Sequence, residues 1–379
     1  MGSCDSSEEN IHLKENLSQD RTKLYGEFPS NFSSSSLPTM SSSFSINQKK
    51  SEIHKKNNSF ATANSLENKQ YLLPESICKR QDITKKYKLS KKILGDGATS
   101  LVYIGENSAT EKFAIKRISK AKMTLRQNIV IKEAEICKKL NHTNIIKYYE
   151  LYEDINFINI VMELGDTDLF ELILNSPTGV IPDEFVLDFL IQIFEVIDYL
   201  HNSQNLVHCD LKPENFVVKF DKKTQKIILK LIDFGNVRNK PINKERLYNF
   251  FGTKEYMAPE TIDNYGFNEK VDEWAAGIIM YNMLTGTYPF NTDDENYSDY
   301  KDEIKFKEIN FDRIENECLR ELNKKLLNKF MIKRISAKEA LEEIKRIKND
   351  FYINNSKKAK KDKNFFNFFK NDISLENIY

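Results

Sequence analysis

The ten residues Leu206–Asn215, LVHCDLKPEN, bring a carboxylate, a lysine, an amide and a proline turn close together in the chain. They follow a run with apolar residues at helical spacing. Phe185, Phe189, Ile193, Ile197 and Leu200, with Val186 and Leu190 beside them, predict a buried helix over 185–201. A buried helix that delivers the chain into a cluster of acid, base and amide is the feature the other segments must be arranged around.

Length and composition narrow the alternatives. A chain of 379 residues suggests one large domain or two small ones, with room for tails. Apolar residues make up 40%, enough for a core, but the first eighty or so residues are rich in Ser, Asn and Lys while the middle is rich in Ile, Leu and Phe. The net charge of +1 gives no global argument for nucleic acid, and no such partner is expected. Cys4, Cys78, Cys137, Cys209 and Cys318 are scattered, with no CxxC spacing, so neither zinc nor a disulfide framework is expected and a reducing compartment is favoured. No run of eighteen apolar residues predicts a transmembrane helix, and no apolar stretch after Met1 predicts a secretory signal.

Leu206–Asn215 resembles the catalytic loop of the eukaryotic protein kinases, whose pattern reads H-R-D-L-K-P-E-N. That resemblance implies an α+β, two-lobed kinase fold: a small lobe of antiparallel sheet plus one helix, and a mostly helical large lobe, over residues 86–347. It implies ATP and Mg²⁺ as cofactors and protein substrates. Asp210 would orient the hydroxyl nucleophile and accept its proton, Lys212 would neutralise the transferring phosphoryl group, and Asn215 would hold Mg²⁺. The lysine two residues after the aspartate is the pattern of the Ser/Thr kinases.

The other expected parts occur in order. Ile93–Tyr103 reads as strand, tight turn, strand, with Gly95, Asp96 and Gly97 at the phosphates and Val102 capping the base. Ser100 stands where the family has its third glycine. Phe113-Ala114-Ile115-Lys116 resembles the V-A-I-K strand, Ala114 lining the base and Lys116 needing an anionic partner. Gln127–Leu140 reads as an amphipathic helix resembling that of calmodulin-dependent kinases. Counting back from His142 selects Glu133 as that partner, with Glu135 the rival.

Asn144–Lys147 and Ile158–Met162 are expected strands. Met162, Glu163 and Leu164 resemble the inter-lobe hinge, with Asp168 near the ribose or a basic substrate residue, and Val217 belongs to the base pocket. Asp233-Phe234-Gly235 would place the second Mg²⁺ ligand, Asp233. Thr253 would bond near Asp210 and Lys212. Glu260 would pair with Arg334, and Asp272 would brace the catalytic loop.

One position departs from the pattern. Cys209 replaces the arginine that receives an activation-segment phosphate, and Asn249 stands at the usual acceptor. Activity without activation-segment phosphorylation is therefore expected. Glu214 and Asp168 match acids that receive arginine upstream of the phosphoacceptor, while Asn282 replaces a third, so a modest preference for basic substrates is expected. No D-x-[DN]-x-[DN]-G loop occurs, so no calcium-binding module is expected.

Residues 1–85 read as a disordered tail, with Tyr71–Leu73 and Ile77 packing on the domain that follows. Met1-Gly2-Ser3-Cys4-Asp5-Ser6 matches the myristoylation pattern, and Cys4 offers a palmitoyl site, two signals that together anchor stably. An ordinary N-terminus with a free thiol is the alternative. A cytoplasmic protein at the cytoplasmic face of a membrane is the expected location. The last domain helix is expected over 336–347. In the tail 348–379, lysines from Lys357 to Lys363 precede Phe365-Phe366-Asn367-Phe368-Phe369, which suits an anionic membrane, docking on the domain, or disorder. The rival classes are a scaffold using the kinase fold without turnover and a membrane adaptor.

Overall fold

The computed structural model describes residues 72–97, 100–122, 127–243, 245–250, 252–263, 265–291 and 297–355, together with Phe365 and Phe368. Gly2, Cys4, the Ser/Asn/Lys-rich stretch and the lysine run lie outside the described residues. The chain divides into two units, Met1–Pro74 and Glu75–Tyr379. The second holds every element below, and it opens ahead of the boundary expected at 86.

Five antiparallel strands form the small lobe: β1 (Lys88–Asp96), β2 (Ser100–Glu106), β3 (Lys112–Ser119), β4 (Tyr148–Glu153) and β5 (Phe157–Met162), in the order β1-β2-β3-β5-β4. β3 alternates as a strand must, so Ala114 and Lys116 share one face while Ile115 and Arg117 share the other. β5 lies between β3 and β4 with both faces covered, which is why Ile158–Met162 reads as a continuous apolar run. Helix α1 (Gln127–Lys139) lies between β3 and β4 in the chain, on the face of the sheet that carries Lys116.

The strand expected at Asn144–Lys147 does not form. Two of its backbone groups are taken by one residue of the large lobe: Leu231 N donates to Asn144 O (2.8 Å) and Ile146 N donates to Leu231 O (3.0 Å). Those branched apolar residues tie the lobes together, and the strand β4 begins one residue later.

The large lobe begins with β6 (Thr167–Asp168) and α2 (Leu169–Leu174), followed by α3 (Asp183–Asp198). β8 (Phe216–Asp221) and β9 (Lys226–Leu231) join β6 in a three-stranded sheet, and β7 (Leu206–Val207) pairs with β10 (Arg238–Asn239). Helices α4 (Pro259–Ile262), α5 (Lys270–Thr285), α6 (Tyr297–Phe306), α7 (Glu317–Leu326) and α8 (Ala337–Asn355) complete it. α5 is buried on nearly every side and α3 on all but the face of Asp188, Gln192 and Glu195, and the two form the centre of the core.

α3 opens behind Pro182 with Asp183 and Glu184 in its first turn, where carboxylates suit the helix dipole, and it closes in a wider π turn over Tyr199–Ser203. α5 ends at Gly286, whose φ of +67° and close approach to Gly179 O exclude a side chain.

The last helix runs to Asn355, beyond the expected end at 347, because Ile344 and Ile347 stay buried and Phe351 packs on the same core. Of the three readings of the Phe-rich tail, the described rings take the docked one. Phe365 is buried with its ring 4.7 Å from Phe185 on α3, and Phe368 lies 6.2 Å from Phe365.

Candidate active site

Each lobe contributes charged groups to the cleft. β3 presents Lys116, whose Nζ lies 2.8 Å from Glu133 Oε1 on α1 and 3.6 Å from Asp233 Oδ1. Glu133 is buried and Glu135 is exposed, which decides between the two candidate partners. Burial opposes the ammonium charge of Lys116, but the Asp233 and Glu133 carboxylates hold its pKa well above the ordinary lysine range. The Lys116 charge in turn lowers the Asp233 carboxyl. Asp233 adopts φ +62°, a conformation uncommon outside glycine, with Gly235 N donating to its Oδ1 at 3.2 Å. Phe234 is buried with its ring edge-on to His208, 5.5 Å between centroids.

The predicted base-binding residues converge. Ala114 and Met162 are buried and pair across β3 and β5, and Val102, Leu164 and Val217 pack against them with Tyr148, Ile146 and Ile232. Gly165 permits this closure at the hinge, since a Cβ there would sit 1.9 Å from Val217 Cγ1. The Glu163 amide donates to Lys147 O (2.8 Å), which fixes the hinge to the strand side of the small lobe. Its side chain pairs with Lys219 (2.6 Å) and Lys230 (3.1 Å). Asp168 caps α2 by accepting from Glu171 N (2.9 Å), and it stands opposite Val217 in the sheet. Gly95 and Asp96 end β1, and Gly97 exchanges backbone bonds with Ser100 across the hairpin (2.8 and 3.3 Å).

The catalytic loop is braced from α5. The Asp272 carboxylate is buried and accepts from His208 N (2.7 Å), Cys209 N (2.9 Å) and the His201 Nε2 position (2.8 Å). Two successive amides can reach one carboxylate because Cys209 sits at φ +66°. The Cys209 thiol is buried, and burial together with the Asp272 charge pushes its pKa up. That is the opposite of what a reactive thiolate requires.

The arrangement then closes on Thr253. Its amide and hydroxyl both donate to Asp210 Oδ1 (3.0 and 2.9 Å), and its Oγ1 accepts from Lys212 Nζ (3.0 Å). Asn215 Nδ2 donates to Asp210 O (2.8 Å), and Ile232 N donates to Asn215 O (2.8 Å), which sets Asp233 beside Asn215. Glu260 and Arg334 form the expected two-point pair (2.6 and 3.0 Å), with Arg334 buried and stacked over Trp274.

Three contributors escaped the sequence reading. Asn236 Nδ2 donates to Asp210 Oδ2 (3.2 Å), so both carboxylate oxygens of Asp210 are held. The signal available was an amide directly after Gly235. Lys132 of α1 donates to Val237 O (2.8 Å). Arg238 donates to Tyr248 O (2.8 Å) and Asn249 O (2.7 Å), holding the activation segment by its main chain.

A family model for the protein kinase domain matches residues 87–344. The chain belongs to the protein kinase family. It is 33% identical over 228 residues to the serine/threonine-protein kinase dkf-2 of Caenorhabditis briggsae, covering 59% of this chain and 19% of that protein. It is 35% identical over 207 residues to human serine/threonine-protein kinase D2, covering 54% and 23%. It is 36% identical over 210 residues to the probable serine/threonine-protein kinase pXi of Dictyostelium discoideum, covering 55% and 29%. The kinase chain thus spans between 19% and 29% of the length of these relatives.

Proposed function

We propose that this chain is a serine/threonine protein kinase that moves the γ-phosphoryl group of ATP onto Ser and Thr hydroxyls of proteins. The Thr253 hydroxyl carries this reading, because it joins Asp210 and Lys212 at one point. Asp210 orients the acceptor hydroxyl and takes its proton on a carboxylate oxygen. Lys212 offsets charge on the phosphoryl oxygens, and Lys116, aligned by Glu133, meets the remaining phosphates. The apolar cluster around Ala114, Met162 and Val217 receives the base. Asn215 and Asp233 offer an amide oxygen and a carboxylate, hard donors that suit Mg²⁺ with only one or two protein ligands. Bound there, Mg²⁺ would neutralise phosphate charge.

ATP-dependent labelling of a generic protein tests this reading, with Asp210→Ala as control. Loss of the base is expected to lower the rate by about 10²–10⁴-fold. Equal labelling by both proteins would favour a scaffold or adaptor without turnover.

Three finer parts belong to the same proposal. Activity needs no activation-segment phosphate: Cys209 brings no charge for a phosphate to neutralise, and the Arg238 bonds to Tyr248 O and Asn249 O support a segment held without one. Near-complete loss of activity on phosphatase treatment would refute this. Substrates with basic residues near the acceptor are preferred, supported by the half-buried Glu214 carboxylate, and a peptide-library screen tests it. The chain is held at the cytoplasmic face of a membrane by acyl groups on Gly2 and Cys4, supported by the N-terminal pattern alone. Mass spectrometry of the N-terminus and fractionation of Gly2→Ala test that anchor.

A further inference from the structure

The stretch just ahead of the family match is built into the small lobe at three places. The first is a sheet edge. β4 is an edge strand, and Lys79 pairs beside it as a parallel bridge opposite Tyr152: Lys79 N donates to Leu151 O (2.8 Å) and Glu153 N donates to Lys79 O (2.9 Å). At this edge Glu150 gathers Lys79 Nζ (2.5 Å), Lys86 Nζ (2.8 Å), Tyr87 Oη (2.8 Å) and Tyr152 Oη (2.8 Å). Burial works against its charge, but these four donors hold its pKa down at about 2.

The second place is the outer face of the sheet. Ile83 and Tyr87 form an apolar cluster with Ile115, Tyr152 and Val161, separate from the cleft side. The fit is close, since a Cβ on Gly105 would meet both Ile115 Cδ1 and Tyr87 Cβ. Ile115 faces this cluster, and the next residue on β3, Lys116, faces the cleft. The third place is α1, where Lys138 Nζ donates to Ser76 O (3.0 Å). One short segment therefore grips both β3 and α1, the two elements that supply the Lys116–Glu133 ion pair.

We propose that Glu75–Tyr87 is an intramolecular brace for that ion pair and that Glu150, through its grip on Lys79 and Lys86, is a positioning residue for phosphoryl transfer. Lys116 and Glu133 come from different elements, and their 2.8 Å separation depends on how α1 sits against the sheet. Contacts within the sheet fix β3, but α1 needs anchors on its flank. Residues on the N-terminal side of β1 supply one of those anchors, and the carboxylate of Glu150 keeps that stretch on the edge of β4.

The test uses the full chain carrying Glu150→Lys, which sets a cation against Lys79 and Lys86. A second protein adds Lys79→Glu and Lys86→Glu, which restores opposite charges. Glu150→Lys is expected to raise KM for ATP and lower kcat, so that kcat/KM falls about tenfold. Hydrogen exchange of the Gln127–Lys139 amides should quicken while the cooperative unfolding transition is kept. The charge-reversed protein should recover both readouts.

Unchanged kinetics and unchanged α1 exchange in a folded Glu150→Lys protein would overturn the proposal, and so would failure of the reversed charges to restore them. If Glu150→Lys does not fold, Lys138→Met removes only the α1 attachment and should move both readouts the same way, about two- to threefold. No change in Lys138→Met would then refute the brace. The kinetic arm rests on the kinase reading, whereas the exchange arm does not. Faster α1 exchange in a protein without transferase activity would keep the brace and refute the activity.

Discussion

Two carboxylates hold the two lobes in shape, and they do so by opposite means. Asp272 of α5 is fully buried and accepts from two main-chain amides and one imidazole, all from the catalytic loop or the turn before it. Glu150 of β4 stays partly open to water and accepts from two lysines and two tyrosines, three of them far from it in the chain. Asp272 orders backbone that cannot satisfy itself, because Cys209 at φ +66° turns its amide away from any regular ladder. Glu150 orders a segment that would otherwise leave the sheet edge. A buried acceptor for main-chain amides has no substitute in water, whereas an edge clamp competes with solvent for every bond.

That contrast sets the sizes of the effects expected when each is broken. Asp272→Ala should have the largest, leaving the His208 and Cys209 amides and the His201 ring without their acceptor. A loss of about 3–5 kcal/mol is expected on removing one partner from such a buried charged site, measured by chemical denaturation. A loss under about 1 kcal/mol would mean water enters the site, and the two carboxylates would then be alike.

His201 comes next. Burial opposes its charge, but Glu273 and Asp272 raise its pKa to about 10. Because the folded pKa lies above the unfolded value of about 6.5, the stability it contributes is complete below pH ~6.5 and is lost as pH rises through about 10. Wild type should therefore exceed His201→Gln in stability by about 2 kcal/mol at pH 6, and the gap should close toward pH 10. A gap that does not narrow would show that the ring is neutral and serves only as a shaped donor.

Glu150→Gln should have the smallest effect, about 1 kcal/mol at neutral pH. Its sign with pH is reversed. A folded pKa near 2 means its contribution is present above the unfolded value of about 4.5 and is lost only as pH falls through about 2. Stability differences measured from pH 5 to 9 should be flat for Glu150→Gln and sloped for His201→Gln. A slope in the former would place its charge in a less supported site than the geometry gives.

Much of the cleft was legible in the chain itself. Lys116, Asp210, Lys212, Asn215, Asp233 and Thr253 fall in short motifs whose order and spacing announce them, and the structure brings them together. The Glu260–Arg334 pair spans a longer distance and was legible only through the family resemblance. Glu133 could be chosen over Glu135 by counting, and burial settled it.

Other features had no local signature. Asn144–Lys147 has the composition of a strand, yet two of its backbone bonds go to Leu231, a residue brought there by the meeting of the lobes. The extension of the last helix past 347 depends on Phe351 finding the core, and the seating of Phe365 depends on Phe185 being exposed to it. Asn236 reads as one more polar residue until Asp210 is found 3.2 Å away.

By itself, then, the sequence carried the motifs whose resemblance implies the fold class and the expected chemistry of the cleft, because an acid, a lysine and an amide at short spacing can be recognised where they stand. Only the tertiary structure decided which polar groups hold those residues in place. Glu150 with Lys86, and Asp272 with the amide of Cys209, each join positions more than sixty residues apart. A hydrogen bond depends on distance and direction in space, and no periodicity along the chain encodes either for partners that meet only when the whole core has closed.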